Sequence, residues 1–273
     1  MARVAVITDS SACLPAALAE RPEVRVLPIA IHLASEDLLD DMPSAAQRVY
    51  EALERGEEVK STPPSPLDYL TAVEEAEADA VVVVTPAREF TVMHRNASIA
   101  ADLSDRHVVV IDSRTAAVGQ GLIVRAGADA AETASLDTVL TAVETAAEKV
   151  QLVATLESLD FIKRSGRLPP PAFELAQHLG IRPLFRLRDG RVERIGISRS
   201  EETSLRRLRK ECAQGGKSPN AVWVFHARRE RLAEKLAASL GGADELTEFS
   251  PSMGIHTGPG VFGLAWLRQE AGS

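Results

Sequence analysis

The chain has 273 residues, 45% of them hydrophobic and 26% charged, with a formal net charge of −8. That is long enough for one large domain or two modest ones with separate cores, and the composition excludes disordered, collagen-like and fibrous chains. No apolar run approaches the roughly 18 residues of a membrane span, and two cysteines, Cys13 and Cys212, cannot build a disulfide framework or a four-ligand zinc site.

The first half alternates apolar runs with helical stretches. Residues 4–8 and 24–33 read as strands, and 80–85 (AVVVVT) and 108–112 (VVVID) are unbroken β-branched runs. Unbroken runs, as opposed to alternating ones, are what a sheet covered on both faces requires. Helical patterns fill the gaps at 45–55, 66–76, 94–103, 121–131 and 136–150. Strand then helix, repeated, predicts a parallel-sheet α/β domain. Beyond residue 150 the pattern changes. A strand at 151–155 and a short helix at 158–165 precede two strands, 182–188 and 191–198, around Asp189-Gly190, a strong hairpin signal. A basic amphipathic helix (200–214), a strand (221–226), a helix (229–240) and a last strand (261–267) complete a mixed α+β domain. The expected domains are 1–150 and 151–273.

Charge follows this division. Residues 1–150 carry 12 Lys and Arg against 25 Asp and Glu, and residues 151–273 carry 19 against 14. Residues 161–210 alone hold 13 basic and 5 acidic side chains. The overall negative charge and the 4% aromatic content argue against nucleic-acid binding. The N-terminal MARVAVITDS turns polar too soon for a secretory signal, so a reducing cytoplasm is the expected compartment.

Several polar segments sit where chemistry is expected. Thr8-Asp9-Ser10-Ser11 follows the first strand, beyond whose carboxyl end ligands of open α/β sheets bind. Helix capping is the simpler reading of the same residues. Ser61-Thr62-Pro63-Pro64-Ser65-Pro66 places two hydroxyls before a stiff turn and a capped helix start. Asp112-Ser113 closes a strand, and Gly119-Gln120-Gly121 precedes an apolar helix without forming a dinucleotide or phosphate-loop motif. Lys163-Arg164-Ser165-Gly166-Arg167 is a basic cluster, and Gly254-Ile255-His256-Thr257-Gly258-Pro259-Gly260 reads as a Gly/Pro loop that exposes one His. No metal-ligand spacing and no catalytic triad can be assembled.

In this order and spacing, the segments resemble the DegV family, bacterial fatty-acid-binding proteins that include the acyl-binding (FakB-type) subunits of fatty acid kinase. The resemblance spans nearly the whole chain. It rests on Ile7-Thr8-Asp9-Ser10-Ser11, Ser61-Thr62-Pro63-Pro64-Ser65-Pro66, Ile111-Asp112-Ser113, Gly119-Gln120-Gly121, Phe161-Ile162-Lys163-Arg164-Ser165-Gly166-Arg167-Leu168 and His256-Thr257-Gly258-Pro259-Gly260. Two segments depart from the pattern: the family's Thr-Ser-Gln-Pro stands here as Ser61-Thr62-Pro63-Pro64, and its Ser-Gly-Thr-Tyr as Thr91-Val92-Met93-His94.

The resemblance implies a two-domain fold with a long-chain fatty acid in an apolar tunnel and no cofactor or metal. It implies that Ser61, Thr62, Thr91 and Ser113 surround the carboxylate. A separate ATP-binding fatty acid kinase (FakA-like) would make the acyl phosphate, with Arg167 and His256 supporting the transfer and Arg167 and Arg199 docking the partner. On this reading the chain presents substrate and is not itself an enzyme, and its basic stretch also suits transient contact with an anionic membrane. Two alternatives stay open: a lipid-sensing or transport protein without a kinase, and a small-molecule phosphotransferase or hydrolase using Asp9 and His256.

Overall fold

The computed structural model describes residues 3–133, 135–164, 180–214 and 221–268. The chain runs β1 (Val4–Asp9), a 3-10 turn (Ser10–Ala12), α1 (Ala16–Ala19), β2 (Val24–Leu27), β3 (Ala30–His32), β4 (Asp37–Leu39), α2 (Ala45–Glu54), β5 (Lys60–Thr62), α3 (Pro66–Glu75), β6 (Ala80–Thr85), α4 (Met93–Leu103), β7 (His107–Asp112), α5 (Val118–Ala131) and α6 (Leu136–Lys149). It continues through β8 (Val150–Thr155), α7 (Asp160–Arg164), β9 (Arg182–Arg188), β10 (Arg191–Ser198), α8 (Glu201–Gln214), β11 (Val222–His226), α9 (Glu230–Ser239), β12 (Glu245–Glu248), α10 (Pro251–Thr257) and β13 (Phe262–Leu267).

Strands β1, β2, β6 and β7 form a parallel sheet in the order β2-β1-β6-β7. Every residue of β1 and β6 is buried, which is why these two runs carry no polar alternation. The chain leaves β1 for β2 on one side and later returns to β6 on the other. The strand order therefore reverses between β1 and β6, the place where open α/β sheets bind ligands. Among the described residues from 150 on, the strands belong to a six-stranded sheet, β10-β9-β8-β13-β11-β12. Its neighbours are antiparallel except β11 and β12. A small antiparallel sheet, β4-β3-β5, completes the architecture.

Helix α5 joins the two large sheets. It packs against β1 and β6 on one side and β8, β11 and β13 on the other. Its first two turns, from Val118 through Val124, are buried all round, as expected of a helical segment held between two layers. Gly121 makes the approach close enough, because a Cβ there would lie 2.7 Å from the Ala12 carbonyl oxygen and 2.7 Å from Trp223. One hydrophobic cluster runs through this helix from Val6 and Val82 to Leu152 and Trp223. Smaller clusters lie under α8 and α9 and under α3 and α4.

Three local differences from the sequence reading have physical causes. The apolar run 24–33 serves two sheets, because β2 ends at Leu27 before Pro28, which has no N–H to continue a ladder. The next N–H, of Ile29, is taken by Asp40 Oδ1 at 2.8 Å. Residues 254–257, expected in a loop, form the last turns of α10, begun by Pro251 after Ser250. Strands β4, β5 and β12 were not expected at all.

Candidate functional site

Parallel strands release their chains on one side. Just past the carboxyl ends of β1, β2, β6 and β7 lie Ser11, Ile29, Pro86 and the pair Ala116 and Ala117, and together they form one wall of a cavity of about 410 Å³. Facing them, Leu152, Ala154 and Leu156 come from alternate positions of β8 and the residue after it, so they share one face of the six-stranded sheet. Phe185 and Leu187 of β9 extend that face. Met253, His256 and Thr257 on α10 close a third side. The volume falls in the range of small-molecule sites, and most of the wall is apolar.

The polar groups of the wall are few. Ser61 reaches it from β5 and Thr91 from the turn before α4. Two ties bring their carriers together with His256. The Asn96 amide donates to the Pro64 carbonyl at 2.8 Å, linking α4 to the segment after β5, and α10 packs on β5. The Thr91 hydroxyl accepts from the Met93 N–H at 3.3 Å, which leaves its own proton to donate.

Behind Ser11 lies a buried polar knot. The Ser11 hydroxyl and N–H both donate to Asp9 Oδ1. Gln120 donates to Asp9 Oδ2 at 3.1 Å and to Thr8 Oγ1 at 2.9 Å. Asp9 is fully buried, and burial pushes its carboxyl from the ordinary 3.8 up to about 6, against the lowering effect of these hydrogen bonds. Gly119-Gln120-Gly121 stands out in the sequence, but its link to Asp9 does not, because the two lie more than a hundred positions apart. A second knot adjoins it. Asp40 accepts from Ser10 and Ser250 at 2.7 Å each, and the Ser250 N–H donates to Cys13 Sγ at 3.3 Å. Burial pushes the Cys13 thiol up to about 12, so it stays a thiol.

The expected site residues are therefore partly assembled. Ser61, Thr91 and His256 reach the cavity wall. Thr62 does not: residues alternate along β5, Thr62 is exposed, and its hydroxyl lies 2.8 Å from His32 Nε2. Ser113 does not either: it is fully buried, and its hydroxyl is held within the turn that follows β7, accepting from the Thr115 N–H at 3.3 Å. Asp9, the nucleophile of the alternative enzyme reading, is sealed behind Ser11 and does not share the cavity with His256. Arg199 is exposed before α8, and Arg167 lies outside the described residues. Among the described residues no three His, Cys, Asp or Glu side chains group as a metal site, and no helix is long and apolar enough to cross a membrane.

A family model described as "Uncharacterised protein, DegV family" matches residues 3–269. The chain belongs to the DegV family. A DegV domain-containing protein of Mycobacterium tuberculosis is 30% identical over 276 residues, covering 96% of each chain. Among solved structures, a DegV family protein of Thermus thermophilus described as fatty-acid-binding superposes with a TM-score of 0.90 at 25% identity, over 98% of this chain and 100% of that one. A DegV family protein of Eubacterium eligens loaded with heptadecanoic acid gives a TM-score of 0.86 at 21% identity, over 97% and 100%. Those two proteins are described as fatty-acid-binding and as loaded with heptadecanoic acid, and the present chain has the fold they share.

Proposed function

We propose that this chain binds one long-chain fatty acid in the cavity and presents its carboxylate to a separate ATP-dependent fatty acid kinase. The observation that carries the reading is the apolar cavity at the strand-order reversal, whose few polar wall residues include Ser61, Thr91 and His256. Each methylene buried there contributes roughly 0.8 kcal/mol, so the tail supplies affinity and the polar wall residues set orientation. A carboxylate removed from water needs charge-assisted hydrogen bonds. Ser61 and Thr91 supply the hydroxyl donors. Thr62 acts one step back, by bonding His32 beside β5.

In the coupled reaction a carboxylate oxygen attacks the γ-phosphorus of ATP held by the kinase. The bond from that phosphorus to the bridging oxygen breaks, and ADP leaves with the kinase. This chain contributes no nucleophile and is not itself the enzyme. His256 donates to the charge that develops on the transferring group. The resemblance assigns the same role to Arg167, and the exposed Arg199 is a docking residue for the partner.

Trapping the acyl phosphate as a hydroxamate, with kinase and ATP present, tests this coupling. His256→Ala should bind fatty acid as the parent does while the rate of product formation falls about 100-fold, the usual cost of losing such a donor. Equal loss of binding and rate would remove His256 from this role. A parent protein that yields no acyl phosphate with its kinase would overturn the coupling.

A further inference from the structure

A second, smaller cleft lies on the seam between the parallel and six-stranded sheets. Its volume is about 40 Å³, and Arg114, Arg188 and Arg268 line it together with Thr115, Glu148 and Asp189. We infer that this cleft binds an oxyanion of the phosphate class.

An unmet donor makes the first argument. Arg268 Nε is buried and has no hydrogen-bond partner among the described residues. A buried guanidinium nitrogen with no partner calls for an explanation, and a water or anion in the cleft supplies one. Charge makes the second. Three guanidinium groups face two carboxylates, of which Asp189 already lies 3.5 Å from Arg188 Nε. Glu148 offers Arg268 its carbonyl, which accepts from Nη2 at 3.4 Å. Guanidinium groups are the side chains best matched to the planar edges of phosphate.

Size and rigidity agree. A bound water needs about 10–15 Å³ by this measure, so the cleft has room for about three waters or one tetrahedral oxyanion. Arg114 stands in the left-handed region at φ 52°. Its N–H donates to Asp112 Oδ1 at 2.9 Å, and its carbonyl accepts from the Gly190 N–H at 2.8 Å. The hairpin turn carrying Arg188 is thereby fastened to Arg114 across the seam. The cleft is distinct from the larger cavity, though Leu187 lines both.

Titration of the full chain with inorganic phosphate at low ionic strength, followed by calorimetry and phosphorus NMR, tests the inference. The parent should bind saturably. Arg114→Gln, whose side chain is exposed, and Arg268→Gln should each weaken binding about tenfold or more, while Arg231→Gln, on the surface of α9, should change it less than twofold. Melting curves in phosphate-free buffer confirm that each variant is folded. A parallel titration with glycerol 3-phosphate separates the sources: comparable affinity identifies a phosphate ester, and much weaker binding identifies the free anion. No saturable binding by the parent, or equal affinity in all three variants, would overturn the proposal and leave the cleft to water.

Discussion

Replacing Ala154 with Phe should block the fatty acid and spare the fold. Ala154 lies on β8 with its methyl on the cavity face, between Leu152 and Leu156. A phenyl ring there occupies the space of about four methylenes, and at about 0.8 kcal/mol each the affinity falls by about 3 kcal/mol, or roughly 200-fold in Kd. The same change in a filled core would strain its neighbours and cost about 1–3 kcal/mol of stability. Into open space the ring adds apolar burial instead. Two measurements separate these cases: urea unfolding of the delipidated protein, and titration with a fluorescent fatty acid. The account expects an unfolding midpoint kept or raised and an affinity reduced by about two orders of magnitude. Unchanged affinity would refute the placement of the tail. A protein destabilised by more than about 2 kcal/mol would show that this face of β8 is packed core.

Three further predictions use other parts of the structure. Ser61→Ala combined with Thr91→Val should weaken a fatty acid tenfold or more, the scale of hydrogen bonds to a charged group, but leave the matching fatty alcohol within about threefold; equal losses in paired titrations would contradict the head-group assignment. Asp9 holds its proton more tightly folded than unfolded, so its contribution to stability is complete below the ordinary 3.8 and is lost as the pH rises through about 6. Asp9→Asn should therefore reduce the loss of stability between pH 4 and pH 7 by about 2 kcal/mol, read from urea unfolding at both pH values, and an unchanged difference would show that Asp9 is not the group responsible. Gly121→Ala should cost about 1–3 kcal/mol through overpacking against Ala12 and Trp223; an unshifted melting curve would mean that α5 moves aside freely.

The parallel sheet was legible because β1 and β6 are buried on both faces and carry no polar residue to blur the pattern until their ends. Strands of three or four residues, such as β4, β5 and β12, are too short for periodicity to register. That omission had a cost at the site. Once Lys60–Thr62 is a strand, alternation forbids Ser61 and Thr62 from facing one ligand, yet as a loop both hydroxyls looked available. Gly254 misled in the opposite direction. Glycine is a poor helix former, but here its missing side chain admits the Tyr50 ring against α10. The knot of Thr8, Asp9, Ser11 and Gln120 joins segments far apart in the chain, and no local pattern announces it.

The most direct test is native mass spectrometry of the purified full chain, followed by extraction and identification of its lipid. The account predicts one long-chain fatty acid per chain, or stoichiometric uptake of added fatty acid by delipidated protein. Protein that carries no fatty acid and takes none up when it is offered would contradict the account.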